Sequence, residues 1–224
     1  MLINQKNYLE IVKQLEEKNV VLVAVSKTKP VEAIRELYDL GHRDFGENYV
    51  QELQEKQEPL PKDIRWHFIG HLQSNKVKYI APFVHLIHGI DSFKLLKEVD
   101  KQAKKIDRTI DVLLQVHIAQ EETKFGLDEN ELNEIFSSFE LSHLNNVNIK
   151  GLMGMASFTD DKEKVRSEFK YLKSLFDKHS DFQTPNTKLE TLSIGMSGDY
   201  QIAIEEGSTM VRIGSLIFGE RTHN

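Results

Sequence analysis

Cysteine is absent from the 224 residues, tryptophan occurs once and proline five times. The first absence excludes disulfides and thiolate metal sites and favours a reducing compartment. Glycine stands at 12, and no Pro- or Gly-rich tract, low-complexity segment or charge block marks a linker. Long apolar runs are also missing. The opening MLINQKNYLE has no apolar core of the length a signal peptide needs, and no stretch approaches the roughly 20 apolar residues of a membrane span. Excess positive charge is lacking too: 29 basic against 35 acidic residues give a net charge of −6, with the signs interspersed. No basic face advertises nucleic acid. These absences lead us to expect a cytoplasmic protein with neither nucleic-acid nor membrane partners.

What is there is the composition of an ordinary globular chain, 39% hydrophobic and 29% charged. With no boundary in view, residues 1–224 read as a single domain. Short β-rich runs alternate with charged segments of helical period. Strands are predicted at 20–25, 43–45, 64–69, 84–88, 111–117, 148–153, 190–194 and 210–213. Helices are predicted at about 30–40, 47–57, 74–80, 92–105, 128–139, 160–178 and 198–206, with an extra N-terminal helix at about 4–18. Runs such as VVLVAV and DVLLQV are apolar throughout, as expected of parallel strands covered on both faces. Eight strands separated by helices predict an α/β fold, a single (β/α)8 TIM-type barrel. A doubly wound open sheet is the alternative.

Residues that fit neither a core nor a solvated helix gather just after the strands: Ser26 and Lys27, FGEN (45–48), GHLQSNK (70–76), GID (89–91), GMS (195–197) and RIGS (212–215). In a barrel these are the carboxyl ends, where βα loops build the site. The run SIGMSGDYQIAIEEG passes through a Gly-rich turn into a helix opening near Asp199, a pattern suited to an anion. Gly214 and Ser215 repeat it after the next strand. The alternative is that these glycines only serve tight turns. Strands one, seven and eight are neighbours in a closed barrel, so Lys27 would face this cradle. A desolvated lysine amine can attack a carbonyl and form a Schiff base, and a phosphorylated aldehyde would satisfy both elements. The alternative is a lysine that snorkels to water.

Other groups carry less. His67 and His71 straddle a strand and a loop without a carboxylate cluster, so no metal site is expected. His85 and His88 read as structural or cleft-lining, and Glu205 and Glu206 as a solvated helical pair.

The segments VAVSKTKP (23–30), FGENYVQE (45–52), WHFIGHLQSNK (66–76), GLMGMA (151–156) and residues 192–221 resemble the pyridoxal phosphate homeostasis proteins, single-domain relatives of the alanine racemase amino-terminal barrel. The match is collinear from about Asn4 to Arg221. The resemblance implies that Lys27 forms the Schiff base with pyridoxal 5'-phosphate (PLP) and that Ser197, Gly214 and Ser215 hold its phosphate. It also implies that Arg212 faces the pyridine nitrogen and that Asn48 and Met153 line the pocket. His71, Gly89, His117 and Gly198 depart from the commonest pattern, which bears on the rim rather than on the cofactor.

The related racemases use two bases, the second a tyrosine from a carboxyl-terminal domain of a partner subunit. This chain ends soon after its eighth strand, so no second base is expected here. The resemblance therefore implies a PLP-binding homeostasis protein affecting vitamin B6 and amino-acid balance. A weak PLP-dependent racemase is the alternative, and a Schiff-base aldolase a remote one. Apo PLP-dependent enzymes are the partners it implies, and a monomer is expected.

Overall fold

The computed structural model describes residues 2–119 and 125–220. Eight parallel strands close into a barrel in chain order, the eighth pairing back onto the first. They are β1 (Val21–Val25), β2 (Asp44–Glu47), β3 (Arg65–Phe68), β4 (Leu86–Ile90), β5 (Ile110–Gln115), β6 (Val147–Met153), β7 (Thr187–Met196) and β8 (Met210–Ile213). Around them run α1 (Gln5–Glu16), α2 (Val31–Asp39), α3 (Val50–Gln57), α4 (Val77–Ile80), α5 (Phe93–Lys105), α6 (Glu129–Ser137), α7 (Lys162–His179), α8 (Tyr200–Glu205) and α9 (Ser215–Phe218). The barrel, not the open sheet, is the architecture. Among the described residues no helix is long and apolar enough to cross a membrane.

Two-sided burial explains the unbroken apolar strands. In β1, Leu22 and Ala24 join the outer core against the helices, while Val23 packs inside the barrel with Leu86, Leu113, Met153 and Met210. Helices α1, α5, α6 and α7 start at side-chain acceptors. At α6 the Asp128 carboxylate accepts from Glu131 N (2.8 Å) and the Glu131 carboxylate from Asp128 N (3.0 Å), which satisfies two amides that the helix leaves without partners.

Three expectations are corrected. The fourth strand lies at 86–90 rather than 84–88, so Gly89 is inside it. The amides of Phe83 and Val84 are already committed to the turn after α4, both donating to Ile80 O, and Arg108 Nη2 holds Val84 O at 3.0 Å. The short helix α9 was not anticipated, because four residues carry no periodicity. Glu205 and Glu206 are not merely solvated: Arg166 of α7 pairs with Glu205 at 2.6 Å and also with Glu206.

His42, just before β2, sits edge-on between the Tyr8 and Phe45 rings at centroid distances of 5.6 and 5.1 Å, and its Nε2–H donates to Asp44 O at 2.8 Å. Burial pushes its pKa from 6.5 down to about 4. The unfolded chain therefore binds the proton first, and stability falls as pH drops through that window. The full loss is about 3 kcal/mol, at 1.36 kcal/mol per pH unit. Glu47 works in the opposite sense, because burial lifts its carboxyl to about 6. The comparison with His42→Gln isolates the histidine. Between about pH 7.5 and about pH 4.5, urea melts should show wild type losing roughly 2.5 kcal/mol more than the variant. Equal losses would refute the assignment.

Candidate functional site

A cleft of about 650 Å³ opens at the carboxyl ends of the strands, within the roughly 300–1,000 Å³ typical of small-ligand sites. Val25, Lys27 and Asn48 line it from the ends of β1 and β2, and Met196, Ser197, Gly198 and Asp199 from the turn after β7. Arg212, Gly214 and Ser215 come from β8 and the start of α9, and Ile69, Phe125 and Met155 form an apolar wall beside the Gln115 carboxamide.

Lys27 lies two residues past the end of β1. The ladder continues one residue past the strand, Ser26 N donating to Gly46 O at 3.0 Å, so the half-buried Lys27 leaves a fixed strand end. Lys29 also reaches the cleft, but its Nζ donates to the carbonyls of Phe218, Gly219 and Glu220 at 2.9, 3.1 and 3.1 Å. Its charge is thus committed to the end of α9, where a cation is favoured.

The turns after β7 and β8 are tied together. Ser197 Oγ accepts from Gly214 N at 3.3 Å, and Asp199 Oδ1 accepts from Met196 N at 2.6 Å. A Cβ placed on Gly198 would meet nothing within 4 Å, which leaves this turn open on that side. Hydroxyls from Ser197 and Ser215 stand at the same wall. It is a polar cradle of the kind that accepts an anion.

Arg212 lies beneath it, 4% exposed. Its Nη1 donates to Ser193 O (2.8 Å) and Ser193 Oγ (2.6 Å), and its Nη2 to Gly154 O (3.0 Å). From Ser193 a hydrogen-bonded column runs down the barrel interior. Ser193 Oγ meets His88 Nδ1 at 3.1 Å, His88 Nε2 meets His67 Nδ1 at 3.0 Å, and His67 Nε2 meets Asp44 Oδ1 at 3.0 Å. Arg65 Nε also donates to Asp44 Oδ1, at 2.6 Å. Arginine can only donate and an ionised carboxylate only accept. With both imidazoles neutral, every link then has one donor and one acceptor. Burial, with the fields of His67 and Arg212, holds His88 well below the ordinary histidine range. Burial lowers Arg212 to about 10, so it remains a cation at neutral pH. Burial alone would raise Asp44; the hydrogen bonds from Arg65 and His67 outweigh it and hold the carboxyl below its usual value.

His67 therefore turns inward to Asp44 and His88. His71 instead contacts Asp91 Oδ2 at 2.9 Å and stacks on Phe125 at 3.9 Å. The two do not form a pair. The group that does come together is Asp44, His67 and His85, with ligand atoms within 4.8 Å of one another, but the Arg65 guanidinium already occupies both Asp44 oxygens.

Of the residues named from sequence, Lys27, Asn48, Ser197, Arg212, Gly214 and Ser215 share the cleft. Met153 lies a layer lower, 1% exposed in the interior cluster, with Met155 packed above it. Alternation along β6 carries the signal for Met155, two residues further on the same face. Gln115 was also missed; its Nε2 donates to Phe125 O at 2.8 Å and pins that ring at the cleft. A close backbone stack explains Gly70 and Gly89: a Cβ on Gly70 would lie 2.3 Å from Asn48 O, and one on Gly89 2.6 Å from Gly70 O.

A sequence profile described as "Alanine racemase, N-terminal domain" matches residues 4–222. The pyridoxal phosphate homeostasis protein of Aquifex aeolicus is 45% identical over 204 residues, covering 90% of this chain and 87% of that protein. Its counterpart in Escherichia coli K12 is 38% identical over 209 residues, covering 92% and 87%. The chain belongs to the pyridoxal phosphate homeostasis protein family. Among solved structures, PipY of Synechococcus elongatus without PLP matches with a TM-score of 0.89 and 36% identity, over 96% of this chain and 99% of that one. The PipY structure with PLP bound matches at 0.86 and 35%, with the same coverage. An alanine racemase from Clostridium difficile shares the fold at a TM-score of 0.76 and 16% identity, over 98% of this chain and 57% of that one. The barrel architecture is thus common to the homeostasis proteins and to the racemases.

Proposed function

We propose that this protein holds pyridoxal 5'-phosphate as a Schiff base on Lys27 and serves intracellular PLP homeostasis. One observation carries the reading: Lys27, the Ser197–Gly214–Ser215 cradle and the buried cation Arg212 open onto one cleft. A lysine, an anion cradle and an apolar wall are the donor set that a phosphorylated aromatic aldehyde requires. Pyridoxal phosphate, when bound, supplies an aldehyde and an electron-withdrawing ring.

With the cofactor held there, Lys27 would be the residue that supplies the amine to its aldehyde, the C=N bond forming with release of one water. Ser197, Gly214 and Ser215 hold the phosphate through hydroxyls and backbone N–H groups, and Asn48 lines the pocket, with Met153 supporting it from below. The buried charge that would lie beneath the ring is the Arg212 guanidinium, a cation and not a carboxylate. That disfavours protonation of the ring nitrogen and weakens carbanion stabilisation. The residues thus favour retention of the cofactor over turnover. In this reading a cytoplasmic, monomeric, single-domain protein passes PLP to apo enzymes and so affects amino-acid balance.

The test is the visible absorption spectrum of the purified protein after incubation with PLP, followed by borohydride and mass mapping. A single reduced pyridoxyl adduct on Lys27 is expected. An adduct confined to other lysines would overturn the reading. Solvent deuterium entering the α-carbon of alanine or serine, lost in Lys27→Ala, would favour a racemase instead.

A further inference from the structure

Lys27 sits between two residues whose backbones are held by one ionic cluster outside the cleft. Glu47, fully buried at the end of β2, accepts at Oε1 from Ser26 Oγ (2.6 Å) and from Lys56 Nζ (2.8 Å). Lys56, 5% exposed on α3, also donates to Ser26 O at 2.8 Å and to Glu52 Oε1 at 2.7 Å. Glu52 Oε1 in turn accepts from Thr28 N at 2.5 Å. The turn closes on itself through Lys29 N donating to Ser26 O at 3.0 Å. Three of these bonds land on Ser26 and one on Thr28.

Thr28 has φ of 63°. A β-branched residue in the left-handed region is a genuine outlier, and such strain persists only where surrounding contacts over-determine it. The contact on its own amide is Glu52. Burying a lysine and a carboxylate on the outer side of a barrel is likewise costly unless they are paired; beyond their pairing, Glu47 Oε1 accepts from Ser26 Oγ and Lys56 donates to Ser26 O and Glu52, while Glu47 Oε2 has no partner.

We propose that Glu47, Lys56 and Glu52 are positioning residues for Lys27: their cluster holds residues 26–29 in the left-handed turn that directs the amine into the cleft. The inference rests on the Schiff-base reading for its purpose. The clamp itself is tested independently of the cofactor.

Lys56 variants leave two carboxylates facing each other and risk unfolding. Glu52→Ala is the useful change, because it removes the Thr28 acceptor at a partly exposed helical position. With apo melting close to wild type, Glu52→Ala should slow formation of the borohydride-trapped Lys27 adduct about tenfold. Thr28→Gly, added to Glu52→Ala, should restore the rate to within about threefold, since glycine adopts positive φ without a Cβ penalty. Hydrogen exchange on the protein without PLP should show the residue-28 amide opening about tenfold faster in Glu52→Ala. An unchanged adduct rate together with unchanged exchange would overturn the proposal, as would failure of the glycine rescue. If wild type itself forms no adduct on Lys27, the Schiff-base reading falls, and the exchange measurement still decides the clamp.

Discussion

Lys27→Ala is expected to abolish the borohydride-trapped adduct entirely and to weaken PLP retention on the order of 100-fold, about 2.7 kcal/mol. Two contributions act in the same direction. In the proposed reading the variant loses the covalent C=N bond, and it also removes a lysine from the cleft that Ser197, Gly214, Ser215 and the buried Arg212 line. Lys29 cannot substitute. Its Nζ is held by three carbonyls at 2.9–3.1 Å, and releasing it would leave the end of α9 without those donors. Equilibrium dialysis and intact-mass measurement after reduction read the two contributions separately. Retention of a stoichiometric adduct in Lys27→Ala would place the chemistry on another lysine.

The largest expected change in stability lies elsewhere. In Gly151→Ala the new Cβ would stand 1.7 Å from the Thr191 carbonyl oxygen and 2.6 Å from its carbon. Both are backbone atoms of the neighbouring strand, so no rotamer change can relieve the contact. Pairing of β6 with β7 already shifts register between Ile149 and Gly151, and further separation would break the ladder. The loss should exceed about 4 kcal/mol, in the range reserved for gross disruption. Because Gly154 O, on the same segment, receives Arg212, the damage would extend to the cleft. Gly198→Ala is the control: with nothing near its Cβ, it should stay within about 0.5 kcal/mol of wild type. Denaturant melts of the two variants measure the contrast, and a Gly151→Ala protein as stable as wild type would contradict the packing.

Much of this was legible in the chain because parallel barrels write a simple script. VVLVAV and DVLLQV showed burial on both faces, and the odd residues after six of the strands lie at the end where the cleft opens. The fourth strand slipped by two residues because Phe83 and Val84, apolar and β-compatible, serve a turn. Met155 was missed in favour of Met153 because both face inward and only height in the barrel separates them. The clamp was invisible for a different reason. Glu52 and Lys56 fall in the segment predicted as a helix at 47–57, Glu47 in the strand-end run FGEN (45–48), and no sequence period distinguishes an ion pair facing water from one folded under a strand. The column from Arg212 to Asp44 joins single polar residues on strands β2, β3, β4, β7 and β8. Its existence depends on the register between those strands, which only the closed barrel sets.

Closure itself has a consequence for the order of events in time. The cleft joins residues 25–29 to residues 212–219, and the seam between them is the pairing of β1 with β8. Contacts so distant in sequence form late in folding. A chain still missing its last strand can have most of its helices while the cleft lacks Arg212, Gly214 and Ser215. In the reading proposed above, the preference of PLP for Lys27 over other lysines during refolding is expected to rise as β1 pairs with β8.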